Sequence, residues 1–150
     1  MTIGSVLVVD DHPLDRMLLK RLLKKGNLAD RIFECEDGEE ALTFLKEFDK
    51  NLASLGESYP PDLIFLDINM PLANGFEFLE AFTELRKQDD RYQGTFVVMM
   101  SSSCIKKDRE RALSFDVVLA YLEKGLQTPA DLKDFLSEYC PDVFKKGIAD

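Results

Sequence analysis

The sequence predicts an α/β domain: a five-stranded parallel sheet with helices on both faces, in three layers. Three observations lead there. Short apolar runs without polar alternation, Val6-Leu7-Val8-Val9, Leu63-Ile64-Phe65-Leu66 and Phe96-Val97-Val98-Met99-Met100, read as strands buried on both faces. Segments with apolar residues three and four apart separate them, and this alternation without repeats implies right-handed crossovers between parallel strands. Finally, the first run ends in Asp10-Asp11, the second in Asp67, and the third in Ser101, Ser102 and Ser103. Three carboxylates and a group of hydroxyls therefore meet at the carboxyl edge of the sheet, where open α/β sheets bind ligands.

The elements follow in order. Residues 5 to 10 form the first strand, and Pro13 stands where a first helical turn tolerates a missing N–H. Leu14, Met17, Leu18 and Leu22 give the first helix an apolar stripe, and Gly26-Asn27 ends it. Arg31 to Cys35 is short and mixed, as an edge strand would be. Asp37-Gly38 turns the chain into a second helix bearing Ala41, Leu42, Leu45 and Phe48. From Asp49 to Pro61 the pattern weakens, and a helix end followed by an exposed loop is expected. The third strand ends at Asp67, with Pro71 unable to continue the ladder.

Asn74-Gly75 leads into a third helix, with Phe78, Leu79, Phe82 and Leu85 as its buried face. After the fourth strand, Lys106 to Ser114 is a short charged helix with little to bury, the least firmly packed of the set. Val117 to Leu122 is the fifth strand. Thr128-Pro129-Ala130-Asp131 combines a capping hydroxyl, a first-position proline and a first-turn acid, and begins a last helix with Leu132, Phe135, Leu136 and Tyr139. Pro141 stops it, leaving a tail of 142–150 either disordered or docked through Phe144 and Ile148.

A chain of 150 residues suits one domain, 1–150, with its core at about 3–140. No apolar run approaches the roughly 20 residues that span a bilayer, and strand sequence begins too near Met1 for a signal peptide. A cytoplasmic protein is expected. Nineteen basic against 28 acidic residues give a net charge of −9, which repels nucleic acid and favours proteins or cations as partners. Cys35, Cys104 and Cys140 lack metal-knuckle spacing and read as reduced thiols, with Cys104 the one open to a redox role.

Asp10, Asp11 and Asp67 cannot share one edge uncompensated. Two unit charges about 4 Å apart repel by roughly 4 kcal/mol at an effective dielectric of 20. A shared proton, a cationic side chain or a bound dication would relieve them. An oxygen-only site with open positions suits Mg²⁺. Lys124, just past the fifth strand, reaches the same edge. A carboxylate beside a dication and an ammonium is a competent phosphoryl acceptor, and Ser101 could donate to the phosphoryl oxygens. His12, between the acid pair and Pro13, reads as a surface residue at a helix start, and Tyr121, taken alone, as an ordinary strand aromatic.

Val-Val-Asp-Asp at 8–11, Leu-Asp-Ile-Asn-Met-Pro at 66–71 with Gly75, Ser101 after its strand, and Lys124 together resemble the receiver domain of two-component response regulators. The resemblance runs from about Ile3 to Cys140 and implies the strand order 2-1-3-4-5. It implies that Asp67 accepts phosphate from a sensor histidine kinase or a histidine phosphotransfer protein. It further implies that Asp11, Asp67 and the Asn69 backbone carbonyl bind Mg²⁺, with Asp10 acting through water. Ser101 and Tyr121 would be the switch, remodelling the face made by the fourth helix, fifth strand and fifth helix. Asn69 and Ser103 resemble positions that tune phosphate lifetime. Gly125 departs from the family, which commonly has proline after the lysine, so a more mobile loop is expected there.

The expected protein is a single-domain response regulator, monomer or weak homodimer, signalling to a downstream protein and catalysing only its own phosphorylation and dephosphorylation. Two alternatives stand beside it. A haloacid-dehalogenase-like phosphatase would need a second aspartate where Asn69 stands, and a non-phosphorylated pseudo-receiver would have lost part of the acid, hydroxyl and lysine set, none of which is missing.

Overall fold

The computed structural model describes residues 2–70, 74–102 and 105–145. Five parallel strands, β1 (Thr2–Val9), β2 (Ala29–Cys35), β3 (Leu63–Asp67), β4 (Phe96–Ser101) and β5 (Val118–Glu123), lie in the order β2-β1-β3-β4-β5. A short sixth strand, β6 (Phe144–Lys145), pairs antiparallel with Thr2 and Ile3 at the start of β1. The predicted topology is present, with this addition.

Period-two alternation divides the apolar strands between two cores. Leu7, Val9, Ile64, Leu66, Val97 and Met99 face one side, and Val6, Val8, Leu63, Phe65, Val98 and Met100 the other. The second side is covered by α1 (Pro13–Lys25) and α6 (Pro129–Tyr139), through Leu19, Leu23, Leu132 and Leu136. The first is covered by α2 (Gly38–Lys46), α3 (Phe48–Leu55), α4 (Gly75–Gln88) and α5 (Lys106–Leu113). In α5 only Ala112 is buried, in line with its charged sequence. The Asn74 side chain accepts from the Phe76 and Glu77 N–H groups in a full capping box, fixing where α4 begins.

Two expectations are corrected and one left open is decided. The α1 stripe is rotated: Leu14, Met17 and Leu18 are 62%, 46% and 45% exposed, while Leu19 and Leu23 are buried. The inward row is Asp15, Leu19, Leu22, Leu23, and its first member is an acid drawn to Lys124, so a scan for apolar periodicity chose the neighbouring row. The expected loop after Asp49 is largely ordered structure. Glu47, with ψ 51°, breaks the helix and Phe48 restarts it as α3, followed by a 3₁₀ turn at Gly56–Ser58. Phe48 meets the rings of Tyr59 and Tyr92 edge-on at 5.1 and 5.3 Å. The Tyr59 hydroxyl donates to the Leu45 carbonyl at 2.6 Å, and the Tyr92 hydroxyl donates to the same oxygen. These bonds satisfy a carbonyl in the last turn of α2 and pin the α3 segment down. The tail, left open from sequence, is docked as far as β6: Cys140, Val143 and Phe144 are buried in the second core. Pro71, Ser103, Cys104 and Ile148 lie outside the described residues.

Candidate functional site

The site is assembled at four strand ends. Asp10 follows β1 directly, its N–H donating to the Cys35 carbonyl at 3.2 Å and its own carbonyl accepting from Arg16 Nη1 at 2.6 Å. Asp67 closes β3, and the next residue, Ile68, donates its N–H to the Met100 carbonyl while its carbonyl accepts from Gly75. Gly75 must be glycine for room: a Cβ there would lie 2.9 Å from both the Asp67 carbonyl oxygen and Ile68 Cα. Ser101 closes β4, and its carbonyl accepts the Lys124 N–H at 2.8 Å, tying the lysine to the strand beside it. Gly125 follows with φ +121°, a conformation side chains rarely adopt.

Lys124 Nζ lies 2.7 Å from Asp10 Oδ2, 3.0 Å from Asp15 Oδ2 and 3.6 Å from Asp67 Oδ1. His12 is exposed, as expected of a helix start, yet its Nδ1 turns inward to 3.0 Å from Asp11 Oδ1, 3.2 Å from Asp10 Oδ1 and 3.8 Å from Asp67 Oδ2. Asp10, Asp67 and Ser101 are 1%, 3% and 2% exposed. Burial therefore pushes the Asp67 carboxyl up to about 6; Lys124 and the Asn69 N–H oppose the rise, and the Asp10 and Asp11 charges reinforce it. For Lys124, burial works downward but is outweighed by Asp10, Asp15 and Asp67, and the net direction is up. The hydrogen bond to Asp10, then the Asp11 charge, raises the His12 pKa.

The residues fit a divalent cation. Asp67 Oδ2 and Asp11 Oδ1 are buried without a hydrogen-bond partner, and Asp10, Asp11, His12 and Asp67 each bring a ligand atom within 4.8 Å of the others. Asn69 is exposed beside them. Tyr121 is half-buried against the first core and lines a cleft with Arg109, Leu113, Phe135 and Tyr139 between α5 and α6.

The sequence-predicted residues Asp10, Asp11, Asp67, Ser101 and Lys124 thus meet at one edge. Asp15, Arg16 and the inward turn of His12 were missed. Arg16 carried a signal, because a cation in a helix's first turn opposes the macrodipole and so serves another purpose. Asp15 carried one too, four residues before Leu19 on the inward row.

The response regulator receiver domain model matches residues 6–136. The chain belongs to that family. Among curated receiver relatives, the chemotaxis protein CheY of Halobacterium salinarum is 31% identical over 127 residues, covering 84% of this chain and 88% of that protein. The nitrate/nitrite response regulator NarL of Escherichia coli is 35% identical over 81 residues, 54% of this chain. The chain spans only 32% of NarL, and 15% of the sensor histidine kinase CheAY of Helicobacter pylori, to which it is 30% identical over 143 residues. Two solved receiver-type structures share the fold. A two-component response regulator from Cytophaga hutchinsonii has a TM-score of 0.74 at 27% identity, covering 95% of this chain and all of that one. The bacteriophytochrome response regulator AtBRR has a TM-score of 0.73 at 25% identity, with both chains fully covered. Among the described residues, no helix is long and apolar enough to cross a membrane.

Proposed function

We propose that this receiver takes a phosphoryl group onto Asp67 from the phosphohistidine of a kinase or phosphotransfer protein, in a Mg²⁺-dependent step, and signals by protein contacts. The carrying observation is Asp67 itself: buried at a strand end, one oxygen 3.6 Å from an ammonium and the other without a hydrogen-bond partner, in a cluster with Asp10, Asp11 and His12. Asp10, Asp11 and Asp67 would hold the ion, joined by the Asn69 backbone carbonyl. When bound, the ion offsets charge on the transferring phosphoryl oxygens.

The chain's own groups do the rest. An Asp67 carboxylate oxygen forms the new P–O bond as the P–N bond breaks, and the electron pair leaves on the donor imidazole. Lys124, anchored by Asp10 and Asp15, offsets the negative charge that arrives. Ser101, at the end of the neighbouring strand, would donate to the acyl phosphate, and Tyr121 would register that change on the face of α5, β5 and α6. We take the chain to catalyse nothing beyond its own phosphorylation and dephosphorylation.

Incubation with acetyl phosphate and Mg²⁺ should add one phosphoryl mass, lost in Asp67→Asn. Undiminished labelling of that variant would place the acceptor elsewhere.

A further inference from the structure

We propose that His12 Nδ1 is itself a ligand of the divalent ion, so that the pocket is a mixed nitrogen and oxygen site whose preference over Mg²⁺ grows from the hard Mn²⁺ through Co²⁺ to the borderline Zn²⁺. This rests on the pocket being a divalent-cation site at all.

The two buried carboxylates are shared between opposite sides. Lys124 takes Asp10 Oδ2 and Asp67 Oδ1, while Asp10 Oδ1 and Asp67 Oδ2 turn towards His12. Neighbouring ligands of an ion with bonds of about 2.1 Å stand about 3 Å apart. His12 Nδ1 lies 3.0 Å from Asp11 Oδ1 and is hydrogen-bonded to Asp10 Oδ1 at 3.2 Å, distances that also suit adjacent ligands once an ion displaces the shared proton. Asp67 Oδ2 adds a sign that spacing alone does not give: its residue is 3% exposed and the atom accepts no hydrogen bond, so it needs a partner.

The backbone fixes the ring's origin. The His12 N–H donates to Asp10 Oδ1 at 2.9 Å, and its carbonyl accepts the Arg16 N–H at 3.0 Å at the start of α1. A side chain 59% exposed had solvent open to it, yet it lies over the carboxylates. Imidazole is softer than carboxylate, so adding it strengthens binding along the series from Mn²⁺ towards Zn²⁺ while adding little for Mg²⁺, which prefers oxygen.

His12 is the only histidine in the chain, which makes the test specific. Tag-free protein loaded with Mn²⁺ should show imidazole ¹⁴N coupling by pulsed EPR, absent in His12→Gln. By calorimetry, His12→Gln should lose about tenfold or more in Zn²⁺ and Co²⁺ affinity, with Mg²⁺ affinity held within about twofold. A Mn²⁺ complex of the wild type without nitrogen coupling, or affinities for all ions that rise or stay level in the variant, would overturn the proposal while leaving the divalent site intact. Failure of the wild type to bind Mg²⁺ or Mn²⁺ at all would instead remove the site on which it rests.

Discussion

Asp67 binds its proton more tightly in the folded protein than in the unfolded chain, because burial first, and Asp10 and Asp11 after it, lift its carboxyl to about 6. Its contribution is therefore greatest below the unfolded value near 4 and is lost as pH rises through about 6 in metal-free protein. A shift of about two units corresponds to roughly 2–3 kcal/mol. Asp67→Asn, uncharged and similar in shape, should melt roughly 5–10 °C above the wild type at pH 7.5 without divalent ions, and the gap should close towards pH 4. A calorimetric scan showing no gap at pH 7.5 would mean that the pocket already neutralises this charge. Lys124 is the complementary case. Lys124→Met leaves Asp10, 1% exposed, without its ammonium and should cost about 3–5 kcal/mol in urea unfolding at pH 7.5. Asp10, Asp11, Asp67, Ser101 and Lys124 were legible in the sequence because each lies at or just past the end of a strand-like run, and strand ends in a parallel sheet share an edge. Asp15 and His12 were not, since their roles depend on how α1 is rotated and which way one ring turns.

Two loops set the geometry in which those residues meet, and their glycines differ in kind. At Gly75 the constraint is space: a Cβ would press on the backbone of Asp67 and Ile68, which cannot swing aside. Gly75→Ala should cost about 1–3 kcal/mol and slow labelling of Asp67 by acetyl phosphate. At Gly125 the constraint is conformation alone, since nothing lies within 4 Å of an added Cβ but φ is +121°. Proline needs φ near −65°, so Gly125→Pro, which restores the family's commoner residue, should destabilise this chain by about 1–3 kcal/mol. A variant as stable as the wild type in urea would show that the loop readily adopts the family's usual path. The α3 segment was the element least legible in sequence. Its anchor is long-range: Phe48 and Tyr59 are ordered by Tyr92, from beyond β3 and α4, and by the Leu45 carbonyl. Local periodicity does not carry such a contact, and Gly, Ser and the prolines in between mimic a loop.

On the scale of the molecule, a chain of net charge −9 carries an unlike patch beside its pocket. Helix α1 turns Leu14, Met17 and Leu18 outward at 62%, 46% and 45% exposure, with Arg21, Lys24 and Lys25 exposed further along it. A fully solvated helix gains nothing from three large apolar side chains on one outer row, and their cost is offset if a partner covers them. They begin four residues past Asp10, and Leu18 among them lines a cleft of about 160 Å³ with Asp10, Asp15 and Lys124. A phosphodonor that places its histidine against Asp67 would cover this row, and an acidic surface on that donor would match the basic end of the helix. Acetyl phosphate needs no such docking. Leu14→Asp with Met17→Asp should therefore fold normally and label with acetyl phosphate at the wild-type rate. Transfer from the fastest histidine kinase or phosphotransfer protein in a genomic panel should fall about tenfold or more, the loss being greater at low salt for an acidic donor, where the new carboxylates repel it across a longer screening length. Equal slowing with both donors would put the defect in the pocket, and no slowing with either would show that the partner approaches Asp67 by another face.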